Sequence, residues 1–253
     1  MTRVFYNAML AAAVNVTVPP PVYGSTGAWL VSGGVATSGA WIMTGATADA
    51  GTSQYVYSGG TANSTTVVSG GSMYVLSGGT ANSTTAYGSG VRVYVSAGGT
   101  VDGINIYSSA RVNAYGSASV INAYVRGPDG FLNVYGRSAR GVEITLSTGA
   151  YVYTYQSSVL SNVIMSAGNL YVSSAGSATA VIQRGGGAVV YISGLLTDLT
   201  LSGGVFRIQN GGSASAIIVS GGTLTVSSGG TALAVVDAGG LVTSMAGAVV
   251  TYA

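Results

Sequence analysis

Apolar and polar residues alternate along most of this chain in short runs, as in Thr223-Leu224-Thr225-Val226, and each run ends at a Gly-rich break. Period-two alternation gives a strand one face for a core and one for solvent. The runs repeat. Residues 59–66 read GGTANSTT, and residues 78–85 repeat them letter for letter. Tyr74-Val75 returns as Tyr94-Val95, Tyr87 as Tyr107, and Tyr115 as Tyr135 and Tyr155. In the last third, Gly-Gly pairs begin at residues 203, 211, 221, 229 and 239, so a short and a long arm alternate.

A strand–turn–strand unit of this size cannot bury its own apolar face, whereas stacking one coil on the next buries it completely. The pattern therefore predicts an all-β chain, a parallel β-helix or β-solenoid of roughly eleven coils of about 18–20 residues each. It fills residues 23–253. At about 4.8 Å per rung the rod would be about 50 Å long. Gly-Gly supplies the positive φ that sharp corners need. Residues one coil apart should lie above one another, so Tyr115, Tyr135 and Tyr155 should stack and Asn113 and Asn133 should form an amide ladder.

Residues 1–22 break the pattern and read as a short apolar cap or docking segment stopped by Pro19-Pro20-Pro21. Its apolar positions include Val4, Phe5, Tyr6, Leu10, Val16 and Val18. The other end, with Val250 and Tyr252, is equally free of charge. An open solenoid end presents unpaired backbone and exposed core. Two apolar ends on one rod predict head-to-tail stacking, a heterologous contact that grows into a filament.

Composition removes most chemistry. Only 14 of 253 residues are charged, and the chain has no Cys, no His and no Lys. Zinc fingers, disulfide frameworks, Ser-His-Asp triads and Cys-His dyads are thereby excluded, and so are P-loops and Schiff bases. A net charge of +2 is no nucleic-acid footprint. No stretch is apolar enough for a membrane-spanning helix, and the runs are too short for the strands of an outer-membrane barrel. Repeat-in-toxin calcium motifs are missing. No cofactor or metal is expected.

Parallel β-helices can carry glycosidase carboxylate pairs, so Asp102 and Glu143 need a test. The repeat puts them about two rungs apart with Asn122 between, close to 10 Å, a marginal spacing for an inverting pair. We expect no enzyme here. Residues 100–145 do hold seven of the 14 charges, including Arg111, Arg126, Arg137 and Arg140. Arg and Tyr are enriched at protein interfaces, so these arginines with Tyr115, Tyr135 and Tyr155 form a candidate lateral contact surface between rods.

The units at residues 55–73 and 74–92, with their SGGT-A-x-x-T-x-V-x-SGG character, resemble the strand–loop–strand repeats of bacterial autotransporter passenger domains of the AIDA adhesin type. The match is close over residues 58–100 and 202–240 and loose between 101 and 190. The resemblance implies a bacterial surface protein of adhesion, autoaggregation or biofilm. It also implies O-linked heptosylation, with Ser64, Thr65, Thr66, Ser83, Thr84 and Thr85 as candidate acceptors. The sequence departs from the family in lacking a translocator barrel and an export signal of ordinary form.

The function expected is thus a structural, non-enzymatic β-solenoid that assembles into extracellular filaments or a surface layer, its main partner being itself. The alternatives are a monomeric adhesin or autoaggregation module that binds glycans or a host or neighbouring cell surface, and a cytoplasmic cytoskeletal filament similar in principle to bactofilins.

Overall fold

The computed structural model describes residues 22–253, and among these there is no helix. Twenty-three strands form one continuous sheet that coils upon itself, parallel throughout except at its N-terminal end. Each coil contributes three strand segments, which build three faces. The first face runs through Thr52–Val56, Ser72–Val75 and Arg92–Val95 and ends with Leu241–Ser244. The second and third faces share one bent strand per coil, such as Thr80–Tyr87 or Thr100–Tyr107. Eleven rungs stack from Thr52 to Ser244, as the repeats predict. The step is 19 to 21 residues in the first half and 18 near the end. One 16-residue step follows Ser193.

The bend has a single cause, repeated in every coil. One residue sits in the left-handed region: Ser64, Ser83, Gly103, Asn122, Glu143, Asn162, Ala180, Asp198, Ala216 and Ala234 form that column. Such a residue drops out of the ladder, so Asp102 pairs with Ile121 and Ile104 with Ala123 while Gly103 and Asn122 are skipped. The skip resets the alternation. Val101 points inward, the chain turns, and Ile104 points inward again from the next face.

Inward columns fill the interior with Val, Ile, Leu and Ala, most of them fully buried. Size is compensated between rungs. Gly141 leaves room that the Leu160 side chain of the next coil enters, since a Cβ there would meet Leu160 Cδ2 at 2.7 Å.

Left-handed φ costs an L-residue about 1–2 kcal/mol, less for Asn and Asp, whose short polar side chains bond locally. Ala216 is exposed in this column at φ 53°. Ala216→Asn should therefore raise stability by about 1 kcal/mol. Ala214→Asn, which buries an amide in the core, should lower it. Urea unfolding midpoints compare the two, and a fall with Ala216→Asn would refute this account of the corner.

At the N-terminal end the pattern changes. β1 (Ala28–Ser32) and β2 (Val35–Ala40) form an antiparallel hairpin, and β1 also pairs antiparallel with Thr52–Val56. The solenoid expected from residue 23 onward thus begins with a hairpin paired to the edge of the first face. Trp29 fixes it: its ring covers Gly39, where any Cβ would collide with it, and its Nε1 donates to Thr26 O at 2.8 Å. Val4, Phe5, Tyr6, Leu10, Val16 and Val18 lie outside the described residues. At the other end the last rung exposes Leu241, Met245, Val249 and Tyr252, and Val250 is half-buried.

Candidate functional site

Outward residues of the first face line up in columns one rung apart. Tyr55, Tyr74 and Tyr94 stack with ring centroids 4.8 and 5.1 Å apart. Tyr115, Tyr135 and Tyr155 stack at 5.3 and 4.7 Å, as their spacing predicts. A further column, Tyr153, Tyr171 and Tyr191, stacks at 4.6 and 4.9 Å. It joins the second laterally through Tyr153 and Tyr155 at 5.9 Å. Interplanar angles within the columns are 15° or less. Between the first and third columns Asn133 donates to Asn113 Oδ1 at 3.0 Å, the expected amide ladder.

The strand spacing holds the rings parallel and their hydroxyls at the surface. Burial raises the pKa of Tyr55, Tyr57, Tyr115, Tyr153, Tyr155 and Tyr171 above the ordinary 10.0, and neighbouring tyrosines add to it, Tyr74 beside Tyr55 and Tyr135 beside Tyr155. A folded pKa above the unfolded one gives stability that is complete below pH 10.0 and lost as pH rises through the folded value. The thermal midpoint should accordingly drop in alkali beyond pH 10.0 and show no pH dependence from these groups below it. A midpoint unchanged through phenol ionisation would contradict the packing.

The arginines do not form one surface. Arg111 stands on the tyrosine face, its guanidinium 4.6 Å from the Phe131 ring centroid. Arg126 lies at the far edge of the third face, donates to Tyr107 Oη at 2.7 Å and covers that ring at 4.8 Å. Arg140 is in the second face, in register with Ser119 and Val159, and Arg137 is in the turn before it. With a coil of about 20 residues, positions 15, 11 and 3 apart fall at different angles around the rod. Sequence clustering of these four arginines is not clustering in space. Of the proposed lateral surface, Arg111, Tyr115, Tyr135 and Tyr155 share one face.

The six candidate acceptors also divide. Ser64 and Ser83 occupy the exposed corner, and Thr66 and Thr85 point outward beside it. Thr65 and Thr84 are buried in the core, their hydroxyls without a hydrogen-bond partner. The skipped corner residue is the reason, because it turns the following side chain inward. The folded chain cannot offer Thr65 or Thr84 to an enzyme.

Asp102 and Glu143 fall in different columns. Asp102 registers with Ile121 and Val142, whereas Glu143 is a corner residue above Asn122. Asn122 donates to Asp102 Oδ1 at 2.7 Å. The corner itself makes a cleft the sequence reading missed, about 360 Å³, lined by Asn122, Tyr124, Glu143, Thr145, Asn162 and Ile164. Further along, the groove turns apolar, with Ile182, Ala216 and Ile218. No single residue type marks it in the sequence, because the corner column holds Ser, Gly, Asn, Glu, Ala and Asp from coil to coil. Among the described residues no cluster of acidic side chains is arranged to hold a metal ion, and no helix is long and apolar enough to cross a membrane.

No protein-family model matches the chain, and no curated protein matches it in sequence. Solved structures do. One is the crystal structure of a TibC-catalysed, hyper-glycosylated fragment of TibA, 27% identical, with a TM-score of 0.72 over 83% of this chain and 84% of that one. The solenoid here is similar to that passenger-type solenoid along most of its length.

Proposed function

We propose, for a chain with the β-solenoid of an AIDA-type passenger, that it is the structural rod of a bacterial surface adhesin, extracellular and non-enzymatic. The observation that carries this reading is the unbroken ladder of eleven rungs, in a chain similar to the TibA fragment over 83% of its length, whose own outward columns bear repeated uncharged side chains and few ionic groups. Such faces act by extended contact with other rods, with glycans or with a host or neighbouring cell surface. The TibA fragment is glycosylated by TibC. By analogy Ser64, Thr66, Ser83 and Thr85 are the acceptors on this rod. Co-expression with a glycosyltransferase of the TibC kind, followed by peptide mass spectrometry, tests this, and sugar on Thr65 or Thr84 instead would refute the assignment.

The exposed apolar rung around Leu241, Met245, Val249 and Tyr252 favours head-to-tail assembly into filaments as the mode of action. In this reading Val4, Phe5, Tyr6, Leu10, Val16 and Val18 of one copy cover Val250 and Tyr252 of the next. Negative-stain microscopy of the full chain over a dilution series should show long filaments, and deletion of residues 1–21 should abolish them. Isolated rods about 50 Å long at every concentration would leave the adhesin module without polymerisation.

A further inference from the structure

The tyrosine columns present a chemistry that adhesion does not require. In a chain with no Cys, covalent links between coils cannot come from disulfides. The rings of successive coils are nonetheless held in parallel contact by the rungs beneath them, 4.6 Å apart for Tyr153 and Tyr171 and 4.7 Å for Tyr135 and Tyr155. They stand on an outward face, partly open to solvent.

We propose that this face is a site of oxidative cross-linking, in which stacked tyrosines of neighbouring coils become joined as dityrosine. The oxidant is a one-electron oxidant of the haem-peroxidase class fed by hydrogen peroxide. Each of two phenols loses one electron and one proton to it, leaving phenoxyl radicals whose unpaired spin resides partly on the ring carbons ortho to oxygen. A carbon–carbon bond forms between those ortho carbons. Each coupled ring then loses its ortho hydrogen as a proton and regains one at oxygen, restoring two aromatic phenols. The two electrons and two protons released reduce one peroxide to two waters.

Geometry favours this outcome over coupling between chains. A radical on Tyr135 has Tyr115 and Tyr155 already against its faces, so the second partner is met without diffusion, the advantage of a reaction within one molecule. Lateral contact between Tyr153 and Tyr155 connects two columns, and Tyr151 adjoins Tyr153 at 6.4 Å, so a radical formed on any of these rings has stacked neighbours on which to end. The links would tie rung to rung along one face, closing loops of about one coil as a disulfide does and restricting the unfolded chain.

The protein supplies its own controls. Tyr124 and Tyr252 are more exposed than the stacked tyrosines, at 50% and 61%. Tyr124 has Asn105 and Thr145 as its rung neighbours, and Tyr252 has Val235. Neither faces another tyrosine across a rung, so within one chain neither has a ladder partner.

The test treats the purified full chain with a haem peroxidase and hydrogen peroxide across a dilution series. It follows dityrosine fluorescence, migration on denaturing gels and cross-linked peptides by mass spectrometry. The expected result is fluorescence that rises with no change in yield per chain on dilution, in material still migrating as monomer. Its links should join residues 135 with 155, 153 with 171, 171 with 191 and 55 with 74. Tyr135→Phe keeps the stack and removes the phenol, so it should delete the links to residues 115 and 155 and leave that between 153 and 171. Unfolding the chain in urea before oxidation should scatter the pairs. No dityrosine, or dityrosine confined to dimers joined through Tyr124 or Tyr252, would overturn the proposal, as would an unchanged peptide map for Tyr135→Phe.

Discussion

Replacing Phe206 by alanine should destabilise the rod by about 3–5 kcal/mol. Phe206 is fully buried in the inward column of the first face, with Val190 one rung before it and Leu224 one rung after. It is among the largest fully buried side chains, and the rungs on either side carry smaller ones. The β-ladder fixes the spacing of these rungs, so neighbouring side chains cannot collapse into the void. A leucine at the same position keeps most of the volume and should cost about 1 kcal/mol. Solenoid stability is close to a sum over nearest neighbours, so the loss should be local. Hydrogen exchange should show coils around and beyond residue 206 losing protection while those around Val93 and Leu132 retain it. Uniform loss along the chain would mean that the rod unfolds as one cooperative block and that the nearest-neighbour picture is wrong here.

The repeats made the coil legible because residue spacing is nearly the whole of a solenoid's geometry. A period of about 20 sets which residues stack, and Tyr115, Tyr135, Tyr155, Asn113 and Asn133 stand where that period places them. What the period does not reveal is the phase within one coil. A single left-handed residue, absent from any alternation count, moves Thr65 and Thr84 inside and separates Glu143 from the column of Asp102. Arg126, Arg137 and Arg140 are separated by the period itself, since residues close in sequence but less than a coil apart lie at different angles around the rod. The hairpin at Ala28–Ala40 was hidden for another reason. Its antiparallel pairing is set by the tight turn at Gly33-Gly34, which in sequence looks like every other Gly-Gly corner.

Those Gly-Gly corners hold two requirements, and Gly211 and Gly212 separate them. Gly211 has φ 78° and open space around it, so its need is conformational. Asparagine tolerates that region, and Gly211→Asn should cost no more than about 1 kcal/mol. Gly212 does not need positive φ; its need is room. A Cβ there would overlap the Ile192 carbonyl of the preceding coil and come within 3.2 Å of Gln209 O. The Ile192 carbonyl cannot swing aside cheaply, because it accepts the Gln209 N–H at 2.7 Å in the coil-to-coil ladder. Gly212 N–H in turn donates to Gln209 O at 3.0 Å, which holds the corner tight. Adding one methyl group must therefore open the rung spacing or break a ladder bond. Gly212→Ala should cost about 3–5 kcal/mol, at the upper end of what single substitutions do, and more than Gly211→Asn by a factor that denaturation midpoints resolve easily. Equal costs at the two positions would show that these corners are chosen for backbone conformation alone, and that close approach between coils places no demand on the second glycine.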